Sequence, residues 1–225
     1  MFRADSSHRF VRIGAISGIV VALGVLWLAG LLATVKPAAS ATSLQAVMEG
    51  GTAFDKVKFV NDIWQSKVIP TVEEKSIGIN TLLASIQKDP DEAAKRYGNN
   101  VGGADNFLVQ FAGKVVDVDT TSLTGTVSVD VDAAEKGFTV KIQIGPIILG
   151  TALRDAVKFI SFEQFTNQMQ FGGVSDEMNS RAQNGISKID FKTLLGKRVS
   201  VKGAFTYDST TPKDILVTPA IVKVE

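Results

Sequence analysis

Two aspartate pairs, Asp117-Val118-Asp119 and Asp130-Val131-Asp132, hold the sequence's most regular spacing of charged ligands. A separation of two puts both carboxylates of a pair on one face of a strand, where calcium could bridge them. Neither pair has the glycine at position six or the glutamate at position twelve of a calcium loop. Aspartates that cap turns account for them more simply, and no metal site is expected. Ser85-Ile86-Gln87-Lys88 fits the S-x-x-K pattern of some serine hydrolases. The partner motifs S-D-N and K-T-G are missing, so the match is read as coincidence. Gly98–Gly103 lacks the Gly-Lys-Ser/Thr of a phosphate loop and reads as a plain loop.

Arg154-Asp155 carries more interest, because it follows Gly145-Pro146 and Gly150 at the end of an expected strand. In a groove, the arginine would clamp a carboxylate or donate to sugar hydroxyls, and the aspartate would accept from them. A structural ion pair that pins the insertion to the barrel is the simpler reading of the same residues. Asn167 and Gln168 add amide donors and acceptors nearby. Trp64 offers an aromatic face for a sugar, although an aromatic at helical spacing usually packs inward. The same holds for Phe159, Phe162 and Phe165. The candidate ligand-binding set is Arg154, Asp155, Asn167, Gln168 and Trp64.

Composition narrows the chemistry further. The chain has no cysteine and a single histidine, His8. Beyond the first residues there is thus no imidazole and no thiol. A Ser-His-Asp triad, a His-ligated zinc and a thiolate site are ruled out there, and no cofactor is implied.

The elements that must position these residues begin with an export segment. Arg3, Arg9 and Arg12 precede an uncharged run, Ile13–Val35, followed by Lys36-Pro37 and Ala39-Ser40-Ala41. As a helix the run spans about 35 Å, enough for a hydrocarbon core of about 30 Å. Its length favours a retained anchor over a cleaved signal, whose apolar stretch is about 7–15 residues. Ala39-Ser40-Ala41 is nonetheless of the kind a signal peptidase cuts. The positive-inside rule places the N-terminus in the cytoplasm and residues 37–225 outside, in a bacterium the periplasm. Residues 1–36 remove four basic side chains and one acidic one from totals of 24 and 23, leaving the exported part slightly acidic. Nucleic acid, which needs a basic surface, is not an expected partner.

Residues 37–53 read as a linker and 54–98 as a helical segment. Phe54, Val57, Val60, Trp64 and Val68 share one helix face, and Pro70 is expected to end or kink that helix. Thr71–Glu74 has capping-box form and is expected to open a second helix. Asp89-Pro90-Asp91-Glu92 opens a third, which stops near Gly98. Beyond the turn-rich Asn99–Gly103 the period becomes two. Phe107, Val109 and Phe111 alternate, Gly113 marks an expected bulge, and Val116 and Val118 resume in the other phase. Val127–Val131 and Phe138–Ile144 form further strands. Residues 150–195 lose the alternation: Phe159–Phe171 is expected to be helical and Gly172-Gly173 to break it. Val199–Phe205 and Ile215–Val224 complete the set.

This order predicts an α+β protein: a membrane helix, a helical segment, then, over 104–225, a five-stranded antiparallel oligonucleotide/oligosaccharide-binding (OB)-like barrel with a helical insertion (150–195) between its third and fourth strands.

Three blocks are shared with a known family: Phe54-Asp55 with Val60–Pro70, Gln143–Ala156, and Phe159–Phe162 with Phe165–Gln168. Across residues 50–225 the chain resembles the DUF2291 family of predicted periplasmic lipoproteins. The resemblance implies an unassigned activity and genes often beside ribose-type sugar ABC transporters. It defines no catalytic residues. The chain departs from the pattern in having no cysteine to lipidate, which leaves Ile13–Val35 as the tether. The combined expectation is a non-enzymatic, membrane-anchored accessory protein in the periplasm. It would bind a small sugar or scaffold a sugar ABC transporter or its solute-binding protein. The alternative is a carboxylate-based envelope enzyme acting on sugars.

Overall fold

The computed structural model describes residues 54–134 and 139–225. The run Ile13–Val35, the linker 37–53 and Phe138 lie outside them. Among the described residues no helix is long and apolar enough to cross a membrane.

The chain enters through α1 (Lys56–Ile63), where the Asp55 carboxylate accepts the Lys58 N–H at 2.9 Å. A π-helical turn (Trp64–Val68) leads directly into α2 (Ile69–Lys75). Pro70 therefore neither ends the helix nor separates two helices, and Thr71–Glu74 lies inside α2 rather than at a helix start. Proline has no N–H for the preceding turn, and the wider π turn just before it accommodates that missing bond. The π turn has a second effect. Residues four apart drift around an α-helix by about 40° per step, yet Val60, Trp64, Val68 and Val72 are all buried. The wider turn offsets the drift and keeps this stripe on one face. Val57, expected on the same face, is exposed.

A two-residue strand β1 (Ile77–Gly78) precedes α3 (Ile79–Lys88) and α4 (Pro90–Tyr97). The Asp89 carboxylate caps α4 by accepting the Glu92 N–H at 3.0 Å, as the sequence predicts. Asn99–Gly103 is not a plain loop. Strand β2 (Gly98–Val101) pairs antiparallel with β3 (Ala104–Asp119) through a tight turn at Gly102 and Gly103, both at positive φ.

The remaining strands are β4 (Thr126–Val131), β5 (Thr139–Gln143), β6 (Arg198–Tyr207) and β7 (Leu216–Val224). The pairing runs β3-β4-β5-β7-β6, and β6 pairs again with β3, so the path returns to its start. One pair departs from the antiparallel expectation: β5 and β7 run parallel. Residues 150–195 carry the chain across from β5, so β6 enters against β3, and the return from β6 aligns β7 with β5.

The bulge of β3 lies between Val115 and Asp117, not at Gly113. Phe107, Val109, Phe111 and Val115 all face the core, and the phase changes only at the exposed Val116. Gly113 answers a different need. A Cβ there would sit 2.1 Å from the Asp130 carbonyl oxygen on β4, so only glycine permits that approach.

Two cores result. Inside the sheet, Phe107 and Phe205 stack at 5.7 Å among the valines of β3–β7, and Ile79, Leu82 and Ile86 of α3 cover them. On the outer face, Leu108 and Ala204 meet α1, α2 and the insertion, among them Leu153, Val174 and Met178. Within the insertion, Phe159–Phe165 is largely irregular with one 3₁₀ turn (Phe162–Gln164), and α6 (Gln168–Ile186) runs straight through Gly172-Gly173. A Cβ on Gly173 would lie 3.1 Å from Lys56 Cδ, so this glycine lets α1 and α6 pack closely, and the pair does not break the helix. Nothing lies within 4 Å of a Cβ on Gly172.

These contrasts set an expected outcome for urea unfolding. Gly113→Ala loses about 2–3 kcal/mol through overpacking. Gly172→Ala gains about 0.5–1 kcal/mol, because an open helical glycine costs unfolded-state entropy.

Candidate functional site

Arg154 and Asp155 lie on α5 (Ala152–Ala156), the short helix that leads the insertion onto the outer face. Both are buried, at 6% and 5% exposure, so they do not line an open groove. The Arg154 Nε donates to Asp155 Oδ1 at 2.7 Å and its second amino group lies 2.6 Å from the same oxygen. A third donor reaches the Phe171 carbonyl on α6 at 3.0 Å, and the guanidinium stacks 3.6 Å from the Phe171 ring centre. Asp155 Oδ2 accepts from the Thr151 hydroxyl at 2.5 Å. Its backbone carbonyl accepts from Asn99 of β2 at 2.7 Å. The pair thus joins α5, α6 and the β2–β3 hairpin.

The other candidates have local duties as well. The Asn167 carboxamide caps α6, accepting the Gln170 N–H at 3.0 Å. Gln168 is the exposed first residue of that helix, and Trp64 is buried in the outer core. Of the five, Arg154 and Asp155 form an ion pair with each other.

The aspartate pairs are similarly committed. Asp119 Oδ1 accepts from the Thr121 N–H, the Thr121 hydroxyl and the Ser122 N–H at 2.9, 2.9 and 3.1 Å. These donors hold its carboxyl below the usual carboxylate range. Asp132 forms a two-point pair with Arg198, which also meets Glu225 at 2.8 Å. No group of three histidine, cysteine, aspartate or glutamate side chains able to hold a metal occurs among the described residues. Ser85 donates to the Thr81 carbonyl of its own helix at 2.9 Å.

A groove of about 330 Å³ opens along α6, facing the loop that follows β5. Asp176, Asn179, Ser180 and Gln183 occupy one face of the helix, at spacings of three and four, opposite Pro146, Ile147 and Ile148. The loop is held by Gln143, which is 3% exposed. Its carboxamide accepts the Leu149 N–H at 2.7 Å and donates to the Leu149 carbonyl at 3.1 Å and the Thr218 hydroxyl at 2.9 Å. Asn179 donates to the Gly150 carbonyl at 2.9 Å, which fixes its amide orientation. Its Oδ1 is buried and has no hydrogen-bond partner among the described residues. A buried acceptor without a donor costs about 1–3 kcal/mol, a cost set against the bond that the same carboxamide makes to Gly150. The sequence showed the stripe only as the polar side of a helix, which ordinarily faces water. That the Gln143–Gly150 loop comes to lie opposite it is a tertiary fact.

The family model for predicted periplasmic lipoproteins, DUF2291, matches residues 20–223. The chain belongs to the DUF2291 family. No curated protein matches it. Among solved structures, an OB-fold protein from Thermotoga maritima is similar, with a TM-score of 0.61 at 16% identity over 76% of this chain and 99% of that one. At that identity the likeness concerns the fold, and it agrees with the strand order. The family blocks take on a structural meaning here. Gln143–Ala156 is the latched loop plus the Arg154–Asp155 pair, and Val60–Pro70 is the π-turn helix that shares the outer core with it.

Two outcomes follow for this DUF2291 chain. Asp155→Ala strands a buried guanidinium and lowers unfolding free energy by about 3–5 kcal/mol, measured by urea titration. Asp119 acts at low pH. Because its folded-state carboxyl titrates lower than in the unfolded chain, its contribution is full at neutral pH and is lost as pH falls through its folded value. The urea midpoint of Asp119→Asn therefore falls less between neutral and acid pH than that of the wild type.

Proposed function

We propose that this DUF2291 protein is a non-catalytic binding module, held at the periplasmic face of the inner membrane by Ile13–Val35, that serves sugar uptake. In this reading the circuit β3-β4-β5-β7-β6 is the OB-like barrel that carries the site. The module binds a small sugar in the α6 groove and presents it to, or scaffolds, transporter components such as a solute-binding protein. The observation that carries the reading is a groove with the polar side chains Asp176, Asn179, Ser180 and Gln183 on one wall and Pro146, Ile147 and Ile148 on the other. Sugars pair hydroxyls with apolar ring faces in the same way. The family description and the export pattern support the compartment. Binding fits better than catalysis because the exported part has no imidazole or thiol. A carboxylate enzyme needs two carboxyls about 5–10 Å apart, and Asp176 is the one carboxylate on the groove's described lining.

The test uses full-length protein from the membrane fraction. Calorimetry against single pentoses and hexoses should show binding by one of them, weakened about tenfold in Asn179→Leu, the loss of roughly one hydrogen bond within a buried site. Transporter subunits should co-purify. If no sugar binds and no subunit co-purifies, the reading fails.

A further inference from the structure

A larger cavity, about 520 Å³, lies elsewhere on the outer face, between α2, α4 and the chain leaving α5. It shares no residue with the α6 groove. Thr71 and Lys75, one turn apart on α2, form one side, and Arg96 and Tyr97 at the end of α4 form another. Lys158 and Phe159 close it, and the buried Leu108 and Ala156 form the floor.

Its charge is one-sided. Three cations stand around the cavity, and no carboxylate is among its described lining residues. Some described cations elsewhere are paired with acids, among them Lys58 with Asp62, Arg181 with Glu177 and Arg198 with Asp132 and Glu225, and others stand singly on the surface. Lys75, Arg96 and Lys158 make no ion pair among the described residues. Arg96 instead lies over the neighbouring Tyr97 ring, 5.1 Å from its centre. This concentration stands out on a chain whose exported part is slightly acidic. Like charges around a low-dielectric floor repel one another and focus positive potential into the cavity, and a bound anion relieves both effects. The walls are not those of a bare phosphate site, because Tyr97, Phe159 and Leu108 offer flat apolar surface that a naked oxyanion would leave uncovered.

We propose that this cavity binds a small organic carboxylate with a planar, apolar body. The Arg96 fork takes the carboxylate at two points, Lys75 and Lys158 add charge at the mouth, and the body lies against Tyr97, Phe159 and Leu108. The Thr71 hydroxyl is available for a polar substituent.

Benzoate and its neutral isostere benzamide are the probes, titrated into the full-length protein by NMR or calorimetry. Benzoate should bind at least about tenfold tighter than benzamide, with affinity falling as salt rises. Arg96→Gln and Lys158→Gln should each lower benzoate affinity about tenfold while thermal unfolding stays unchanged, since both side chains are exposed. Lys158→Arg should retain binding. Equal affinity for the two probes, or unaltered binding in the glutamine variants, overturns the proposal. So does binding of inorganic phosphate or phosphatidylglycerol vesicles without any binding of benzoate. Sugar binding and its loss in Asn179→Leu read the other site, so either result stands without the other.

Discussion

The buried contact between Arg154 and Asp155 is the constraint around which the outer layer is organised. Two full charges removed from water are tolerable only where every donor and acceptor is met. Here the partners come from Thr151 beside the helix, Phe171 on α6 and Asn99 on β2. Those three points fix where α5 sits, how α6 crosses it and where the β2–β3 hairpin reaches. Apolar packing at Leu153, Val174 and Met178 supplies area without direction; the ion pair and its hydrogen bonds supply the direction. Both proposed binding surfaces border this joint. The α6 groove lies between the loop ahead of α5 and the helix that receives Arg154, and the cation-rimmed cavity opens where the chain leaves α5.

A second constraint is close approach of backbone. Gly113 lets β3 and β4 come together, and Gly203 stands where a Cβ would lie 2.3 Å from the Thr218 carbonyl on β7. Gly145 does the same for the loop after β5 against Gly125. In each case glycine is required by space, with no positive φ involved. This explains why a glycine inside an alternating strand misplaces the bulge when read from sequence. Period-two alternation reports which side chains are apolar, and it cannot distinguish a glycine that bends the ladder from one that lets a neighbour in.

Local signals that need few partners were legible. The Asp89-Pro90 start of α4 depends on a capping bond three residues away, and the alternation of β4 depends on one buried face. The positions of the five long strands and of the helical insertion follow from the same periodicities. Two features were not legible for a common reason. Pro70 was expected to end or kink a helix, and Gly172-Gly173 to break one. The residue's own preference was clear each time, but the surroundings decided the outcome: a π turn before Pro70 and α1 against Gly173.

The sequence by itself determined the class of the protein and the limits of its chemistry. It set an α+β chain with no thiol, with its one imidazole, His8, ahead of the uncharged run Ile13–Val35, a remainder near neutral charge, and family blocks marking the segments that hold the outer layer. Only the tertiary structure decided which polar groups are used up and which remain available. Arg154, Asp155 and Asn167 are spent on the fold, while Asp176, Asn179 and Ser180 line one groove and Lys75, Arg96 and Lys158 stand around one cavity. The physical reason is that hydrogen-bond satisfaction and charge pairing are properties of spatial neighbours. The three cations belong to segments far apart in the chain, and no local pattern records that they converge.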